Sequence, residues 1–137
     1  MSGYLLDTDI AGELRKKQRA NADVVAWFES IDEDDVFLSV LILGEIRKGI
    51  EQVRSSDPPQ AQALEKWLNG LERMYVDRLL PVTVDVADRW GRLSAIRPIS
   101  TIDGLLAATA LVHDLTFVTR NAPDVGHTGV KLLNPFE

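Results

Sequence analysis

The chain has 137 residues, of which 45% are hydrophobic and 26% charged, a composition typical of a folded soluble protein and not of a disordered one. Single domains contain roughly 100–150 residues, so we expect one domain spanning residues 1–137. The absence of cysteine excludes disulfides and thiolate zinc sites. The net charge of −6 argues against a general nucleic-acid-binding protein, which would normally carry a basic surface.

Apolar runs are short throughout the sequence. The longest, Leu105 to Val112, covers about a third of the length that a membrane span needs. Asp7 comes too early for the apolar segment of a signal peptide. We therefore expect a cytoplasmic protein without membrane association.

In the first half of the chain, hydrophobic spacing predicts strands that alternate with helices. Tyr4–Leu6 is an apolar run that predicts a buried first strand. Asn21 is a candidate N-cap for a helix whose apolar residues are spaced three and four apart. A second strand is expected at Val36–Leu38, with Ser39 as the N-cap of the next helix.

The second half continues the same alternation. Further helices are expected after Pro59, after Thr83 and from Ser100 or Thr101 to about His113. Further strands are expected at Leu80–Val82, Thr116–Val118 and Val130–Leu133. Short strands alternating with helices predict an α/β fold, with a mostly parallel central sheet of about five strands and helices on both faces.

Four acidic residues fall near the predicted strand ends. Asp7 ends the first strand, and Glu45 lies in the second turn of the helix after the second strand. Asp103 lies in the first turn of the helix that opens at Thr101, and Asp124 follows the fourth strand. Because ligands of parallel sheets bind beyond the carboxyl ends of the strands, we expect these four side chains to lie close together.

Carboxylates gathered in one place either take up protons or bind cations. Oxygen ligands favour Mg²⁺ or Mn²⁺ over zinc, and such ions activate water for phosphodiester hydrolysis. Bound cations also reverse the local field, so an acidic protein can still accept a polyanion there. Each acid alone has an ordinary explanation, such as the helix-dipole preference that accounts for Asp103. Only their joint placement indicates a site.

Several segments together match a known family. They are Leu5–Thr8, Glu45–Ile50, Thr101–Ala110, Leu115–Asn121, Asp124 and Asn134–Phe136. With these segments the sequence resembles a PIN-domain ribonuclease of the VapC toxin type, from type II toxin–antitoxin systems, and is most similar to the FitB-like branch. The matches are spread from one end of the chain to the other, so the resemblance covers a whole PIN-like domain.

The resemblance implies an endoribonuclease toxin that hydrolyses RNA phosphodiesters with water activated by Mg²⁺ or Mn²⁺, leaving a 5′-phosphate and a 3′-hydroxyl. It implies that four acids bind the metal and carry catalysis, namely Asp7, Glu45, Asp103 and Asp124. It also implies a homodimer, and a cognate antitoxin that covers the active site in a toxin–antitoxin hetero-oligomer.

Other residues near the implied site are polar or basic. Thr8 and Asn121 match polar positions beside the site, and Asp9 stands where relatives commonly carry Asn. This extra carboxylate could tighten metal binding or repel phosphate. Candidate contacts to RNA phosphates are Arg15, Lys16, Lys17, Arg19, Arg47 and Arg120. A solvated helix end explains the cluster at 15–19 equally well.

Two other functions remain open at this point. Asp7-Thr8-Asp9 after a strand is similar to the opening motif of aspartate-nucleophile phosphatases. Those enzymes need a downstream lysine, and only Lys131 follows Lys66. The second alternative is a non-catalytic acidic interaction module whose carboxylates only bind partners. Activity on an aryl phosphate would indicate the phosphatase, and a lack of Mn²⁺ binding would indicate the module.

Overall fold

The computed structural model describes residues 3–137. Its strands are β1 (Tyr4–Leu6), β2 (Val36–Ser39), β3 (Leu79–Leu80), β4 (Thr116–Val118) and β5 (Leu132–Leu133). Its α-helices are α1 (Thr8–Arg15), α2 (Ala22–Ser30), α3 (Val40–Val53), α4 (Pro58–Met74), α5 (Val84–Ile96), α6 (Thr101–Val112) and α7 (Ala122–Val125). Over this part of the chain no helix is long and apolar enough to cross a membrane.

The five strands form one sheet in the order β3-β2-β1-β4-β5, and every neighbouring pair is parallel. The chain first builds outward from β1 to β3 and then returns to add β4 and β5 on the other side of β1. The strand order therefore reverses between β1 and β4, which is where doubly wound sheets bind their ligands. The predicted α/β class and five-stranded parallel sheet are confirmed.

Side chains of the central strands alternate between two separate cores. Leu5 of β1 and Phe117 of β4 pack with apolar residues of α3, α4 and α6. Leu6 and Val118 point to the opposite face and pack with residues of α1 and α2. Each such fully buried side chain stabilises the fold by roughly 1.5–3 kcal/mol. Helices therefore cover both faces of the sheet, as predicted.

Three residues that directly precede predicted helices are N-caps. The side chain of Asn21 accepts hydrogen bonds from two backbone amides in the first turn of α2. Ser39 and Thr83 accept one each at the starts of α3 and α5. Because these bonds satisfy amides that have no partner within the helix, they fix where each helix begins.

Several boundaries differ from the prediction. Strand β3 occupies Leu79–Leu80 and not Leu80–Val82, because Pro81 has no N–H to donate to a neighbouring strand. Strand β5 begins at Leu132, two residues later than expected. Helix α1 was not predicted, since only Ile10 and Ala11 of its eight residues are buried. The short helix α7 was also not predicted.

The first turn of α6 depends on a close contact with α5. A Cβ atom added at Gly104 would lie 2.9 Å from Cδ1 of Trp90 and 3.1 Å from Cγ2 of Ile99. Gly70 in α4 has nothing within 4 Å of the same position. Glycine at position 104 therefore lets α6 approach α5.

We predict that Gly104→Ala lowers the free energy of unfolding by about 1–3 kcal/mol, because the added methyl group overpacks the contact with Trp90. The matched variant Gly70→Ala should raise it by about 0.5–1 kcal/mol, because alanine is the better helix former. Urea denaturation measures both. An unchanged or higher stability of Gly104→Ala would contradict the packing argument.

Candidate active site

Asp7 lies at the carboxyl end of β1 and is the N-cap of α1. It is buried, with 6% of its surface exposed. Its Oδ1 accepts a hydrogen bond from the backbone N of Thr8 at 2.8 Å, and its Oδ2 accepts one from Oγ1 of Thr119 at 2.7 Å. Thr119 directly follows β4 and is itself buried. Asp7 is therefore held where the strand order reverses.

Ionisation of Asp7 is unfavourable in this environment. Its pKa is raised from 3.8 to about 6, mainly by burial and to a smaller extent by the negative charges of Asp9 and Asp103. The hydrogen bonds from Thr119 and Thr8 act in the opposite direction but are outweighed. A cation beside Asp7 would remove this cost.

Asp9 and Asp103 lie close enough to Asp7 to act on its charge. Asp103 lies in the first turn of α6, where Oγ of Ser100 donates to its Oδ2 at 2.8 Å. Asp9 accepts a hydrogen bond from the backbone N of Arg120 at 3.2 Å. Burial raises the pKa of Asp9, and the charge of Asp103 adds to the shift. The carboxylates of Asp7, Asp9 and Asp103 therefore lie within electrostatic range of one another at the starts of α1 and α6.

Glu45 joins this group through a neighbour. Oγ1 of Thr8 donates to Oε1 of Glu45 at 2.5 Å, which links the first residue of α1 to α3. Because Thr8 directly follows Asp7, this bond ties Glu45 to the same end of the sheet. The bond connects residues 37 positions apart in the sequence.

Asn121 and Asp124 belong to the segment that follows β4. The backbone N of Asn121 donates at 3.0 Å to Oγ1 of Thr119, the hydroxyl that itself donates to Asp7. Asp124 is exposed on α7. Within residues 3–137 its carboxylate accepts no hydrogen bond and forms no ion pair. A hydrogen bond through Thr8 and charge interactions therefore link Glu45, Asp7 and Asp103, whereas no hydrogen bond of the described residues links Asp124 to them.

The donors fit a hard divalent cation that keeps much of its water. No three acidic or histidine side chains of the described chain form a preassembled metal cage. The oxygen-only donor set and the raised pKa of Asp7 suit Mg²⁺ or Mn²⁺, which commonly bind through one or two carboxylates plus water and phosphate. Oδ1 of Asp9 is buried and has no hydrogen-bond partner within residues 3–137, so it is available as a further acceptor.

The predicted basic residues fall in three different environments. Arg15, Lys16, Lys17 and Arg19 line a groove of about 760 Å³ that also contains Trp67. Arg47 instead forms ion pairs with two glutamates of α3 and α4, at 3.3 and 3.2 Å. The guanidinium of Arg120 lies 4.1 Å from the ring centroid of Phe136.

Two residues of this region were given no role by the sequence. Thr119 bonds to Asp7, and Phe136 stacks against Arg120. The position of Thr119 could have indicated its role, because a hydroxyl directly after a parallel strand faces the same edge of the sheet as Asp7. The contact of Phe136 depends on tertiary structure and leaves no local signal.

The lysine needed by the phosphatase alternative lies at the wrong edge of the sheet. Nζ of Lys131 pairs with Oδ1 of Asp114 at 3.1 Å. These residues precede β5 and β4, whereas Asp7 follows β1. Because the strands are parallel, the pair and Asp7 lie at opposite edges, and the structure gives the phosphatase alternative no support.

Comparison with known proteins places this geometry in a family. The PIN domain family model matches residues 4–122. The chain belongs to the PIN-domain family. Toxin FitB of Neisseria gonorrhoeae (strain ATCC 700825 / FA 1090) is 29% identical over 137 residues, covering 96% of this chain and 97% of that protein. VapC ribonuclease Y4jK of Sinorhizobium fredii (strain NBRC 101917 / NGR234) is 28% identical over 142 residues, covering 97% of each.

Two solved structures share this fold over almost the whole length of the chain. FitAcB from Neisseria gonorrhoeae gives a TM-score of 0.86 at 28% identity, covering 98% of this chain and 99% of that one. FitAB bound to an IR36 DNA fragment gives a TM-score of 0.85 at 27% identity, covering 98% of this chain and 96% of that one. The predicted PIN resemblance and its FitB-like branch are confirmed.

The raised pKa of Asp7 predicts how the metal-free protein responds to pH. Protonated Asp7 favours the folded state, and this contribution is complete below about pH 4 and is lost as pH rises through 6. Asparagine does not ionise, so the Asp7→Asn variant does not lose this contribution as pH rises. In EDTA, Asp7→Asn should therefore gain up to about 3 kcal/mol relative to wild type between pH 4 and pH 7.5.

Urea denaturation at several pH values measures this difference, with exposed Asp77→Asn as the control that should show no such trend. A stability difference between Asp7→Asn and wild type that does not change with pH would contradict the assignment of the raised pKa to Asp7.

Proposed function

We propose that this protein is a metal-dependent endoribonuclease, the toxin of a toxin–antitoxin pair acting in the cytoplasm. The main support is the buried Asp7, whose carboxylate lies with Asp9 and Asp103 at the strand-order reversal of a PIN fold. The names of two relatives, Toxin FitB and VapC ribonuclease Y4jK, support the same activity.

Asp7 and Asp103 would hold Mg²⁺ or Mn²⁺ most directly, and Glu45 and Asp124 complete the proposed set of acids. When bound, the ion supplies an activated water and stabilises charge on the leaving oxygen. Such hydrolysis leaves a 5′-phosphate and a 3′-hydroxyl.

The protein's own side chains orient these acids. Thr119 and the amide of Thr8 fix the two carboxylate oxygens of Asp7, so this group does not need to reorganise during the reaction. The hydroxyl of Thr8 holds Glu45 in the same way. Partners of this kind commonly raise metal affinity or activity 10–100-fold in metal sites.

We predict that Asp7→Asn and Asp103→Asn each reduce RNA cleavage by at least about 100-fold while the protein stays folded, because each removes a carboxylate from the metal site. Cleavage of labelled RNA with Mg²⁺ or Mn²⁺ measures the effect, and circular dichroism monitors the fold. Asp77→Asn, an exposed change of the same charge, should cleave normally.

Cleavage by the Asp7→Asn variant at the wild-type rate would refute the assigned role, and full activity in EDTA would refute metal dependence. Calorimetric titration with Mn²⁺ addresses the remaining alternative. A wild-type protein that takes up no Mn²⁺ up to millimolar concentration would favour the non-catalytic interaction module.

The proposed partners are a cognate antitoxin that covers the active site and a second copy of this chain. Support comes from the likeness to FitAcB and to FitAB bound to DNA, both at more than 25% identity. Exposed apolar residues such as Met74 on α4, 58% exposed, also suit a protein that functions in an assembly.

Co-expression with the product of the neighbouring gene tests this partnership. We expect a stable complex in which RNA cleavage is lost, because the antitoxin would block access to Asp7 and Asp103. Mapping RNA ends after induction of this chain alone would then identify the target. Undiminished cleavage with the partner in stoichiometric excess would refute the proposed antitoxin.

A further inference from the structure

Two loops meet beside the acidic site because β4 and β5 are neighbouring parallel strands. Arg120 lies two residues after β4, and Phe136 lies three residues after β5. The pairing continues past the strand ends, since the backbone N of Thr119 donates to the carbonyl of Leu133 at 3.0 Å. Both loops therefore leave the sheet at the edge that carries Asp7.

The turn that carries Phe136 is held by its own polar contacts. Oδ1 of Asn134 accepts from the backbone N of Phe136 at 3.0 Å, and Nδ2 of Asn134 donates to Glu137 at 3.0 Å. Pro135 is buried between them. Phe136 itself packs against the core on the α1–α2 face of the sheet. The ring is thus fixed in place before any ligand binds.

The guanidinium of Arg120 stacks on this ring. Its guanidinium carbon lies 4.1 Å from the ring centroid of Phe136, while its backbone N is bonded to Asp9. Its side chain forms no ion pair or hydrogen bond with any residue from 3 to 137, in contrast to Arg47 and Arg54, which pair with glutamates. A guanidinium stacked on an aromatic face keeps its edge N–H donors available for an anion.

We propose that Arg120 binds a phosphate of the RNA beside the acidic site, and that Phe136 is the positioning residue that holds Arg120 ready for it. This inference rests on the proposed ribonuclease function. Its physical basis is preorganisation: a flexible arginine loses conformational freedom on binding an anion, and stacking on Phe136 has already removed much of that freedom. The planar fork of arginine matches two phosphate oxygens at once.

The alternative role for Arg120 is as an internal counterion. Its positive charge opposes the rise that burial causes in the pKa of Asp9 and contributes to the lowered pKa of Glu13, although the guanidinium itself forms no hydrogen bond or ion pair with either carboxylate. An internal counterion would influence stability but not RNA affinity. The two roles therefore predict different results for RNA binding.

The first experiment measures cleavage kinetics of single-stranded RNA and, in EDTA, binding of fluorescein-labelled RNA as a function of salt. Arg120→Gln should raise KM about tenfold with little change in kcat, and should reduce the slope of log affinity against log salt by about 0.7, as expected for one lost phosphate contact. Arg120→Lys should keep the slope but lose affinity, because it retains the charge without the fork. Arg89→Gln, an exposed charge-matched change on α5, should behave as wild type.

The second experiment tests Phe136. Phe136→Leu, which keeps an apolar side chain but removes the aromatic face, should raise KM severalfold without changing the salt slope. Phe136→Tyr, which keeps the aromatic face, should have the wild-type KM. Combining Phe136→Leu with Arg120→Gln should cause no loss beyond that of Arg120→Gln alone, because both changes act on one contact. Thermal melting confirms that each variant is folded.

Unchanged KM and salt slope in Arg120→Gln would overturn the phosphate contact, and a Phe136→Leu variant that shifts only the melting temperature would overturn the positioning role. If Phe136→Leu fails to fold, Arg120→Lys and Arg120→Gln still test the phosphate contact. The role of the aromatic ring is then tested with Phe136→Met in place of Phe136→Leu. Absence of RNA cleavage in the wild type would refute the proposed function itself, a result that is distinguishable from failure of this inference.

Discussion

The hydrogen bond from Thr119 to Asp7 joins the ends of the two central strands and is the contact on which the site depends. It fixes a buried carboxylate at the point where the strand order reverses. The same threonine hydroxyl accepts the backbone N of Asn121, so it also sets the start of α7. One side chain thus couples the position of the acid to the path of the chain after β4. The fold therefore fixes the position of Asp7 but compensates its negative charge only in part.

Part of the compensation comes from the amino ends of two helices near Asp7. Asp7 is the N-cap of α1, Asp9 lies in the first turn of α1, and Asp103 lies in the first turn of α6. The amino ends of helices carry partial positive charge, which favours nearby carboxylates. This compensation is incomplete, since the pKa of Asp7 still rises to about 6. The remaining imbalance favours a bound cation, the role proposed for Mg²⁺ or Mn²⁺.

Sequence reasoning predicted the parts of the site that follow from strand ends. Asp7 could be placed at this edge because parallel strands bring their carboxyl ends together, whereas Asp103 lies at the start of α6, which no strand directly precedes. Helix α1 could not be predicted, because its short length and two buried residues give almost no periodic signal. The bond between Thr8 and Glu45 was equally inaccessible, because it depends on how α3 packs beside α1. The role of Asp124 stays a prediction, since the structure gives it no contact with the other acids.

The net charge of −6 is a weaker argument against RNA than it first seemed, because charge acts locally. Glu51 and Glu65 are neutralised by Arg47 and Arg54 on the α3–α4 surface, and this pairing lowers the pKa of both glutamates. Screening confines the effect of such exposed pairs to about 10 Å at moderate salt. Arg120, by contrast, keeps its donors available at the edge of the acidic site. An anionic substrate approaching that edge would therefore meet a guanidinium that is unpaired within residues 3–137, next to the proposed cation site, whatever the net charge of the whole molecule.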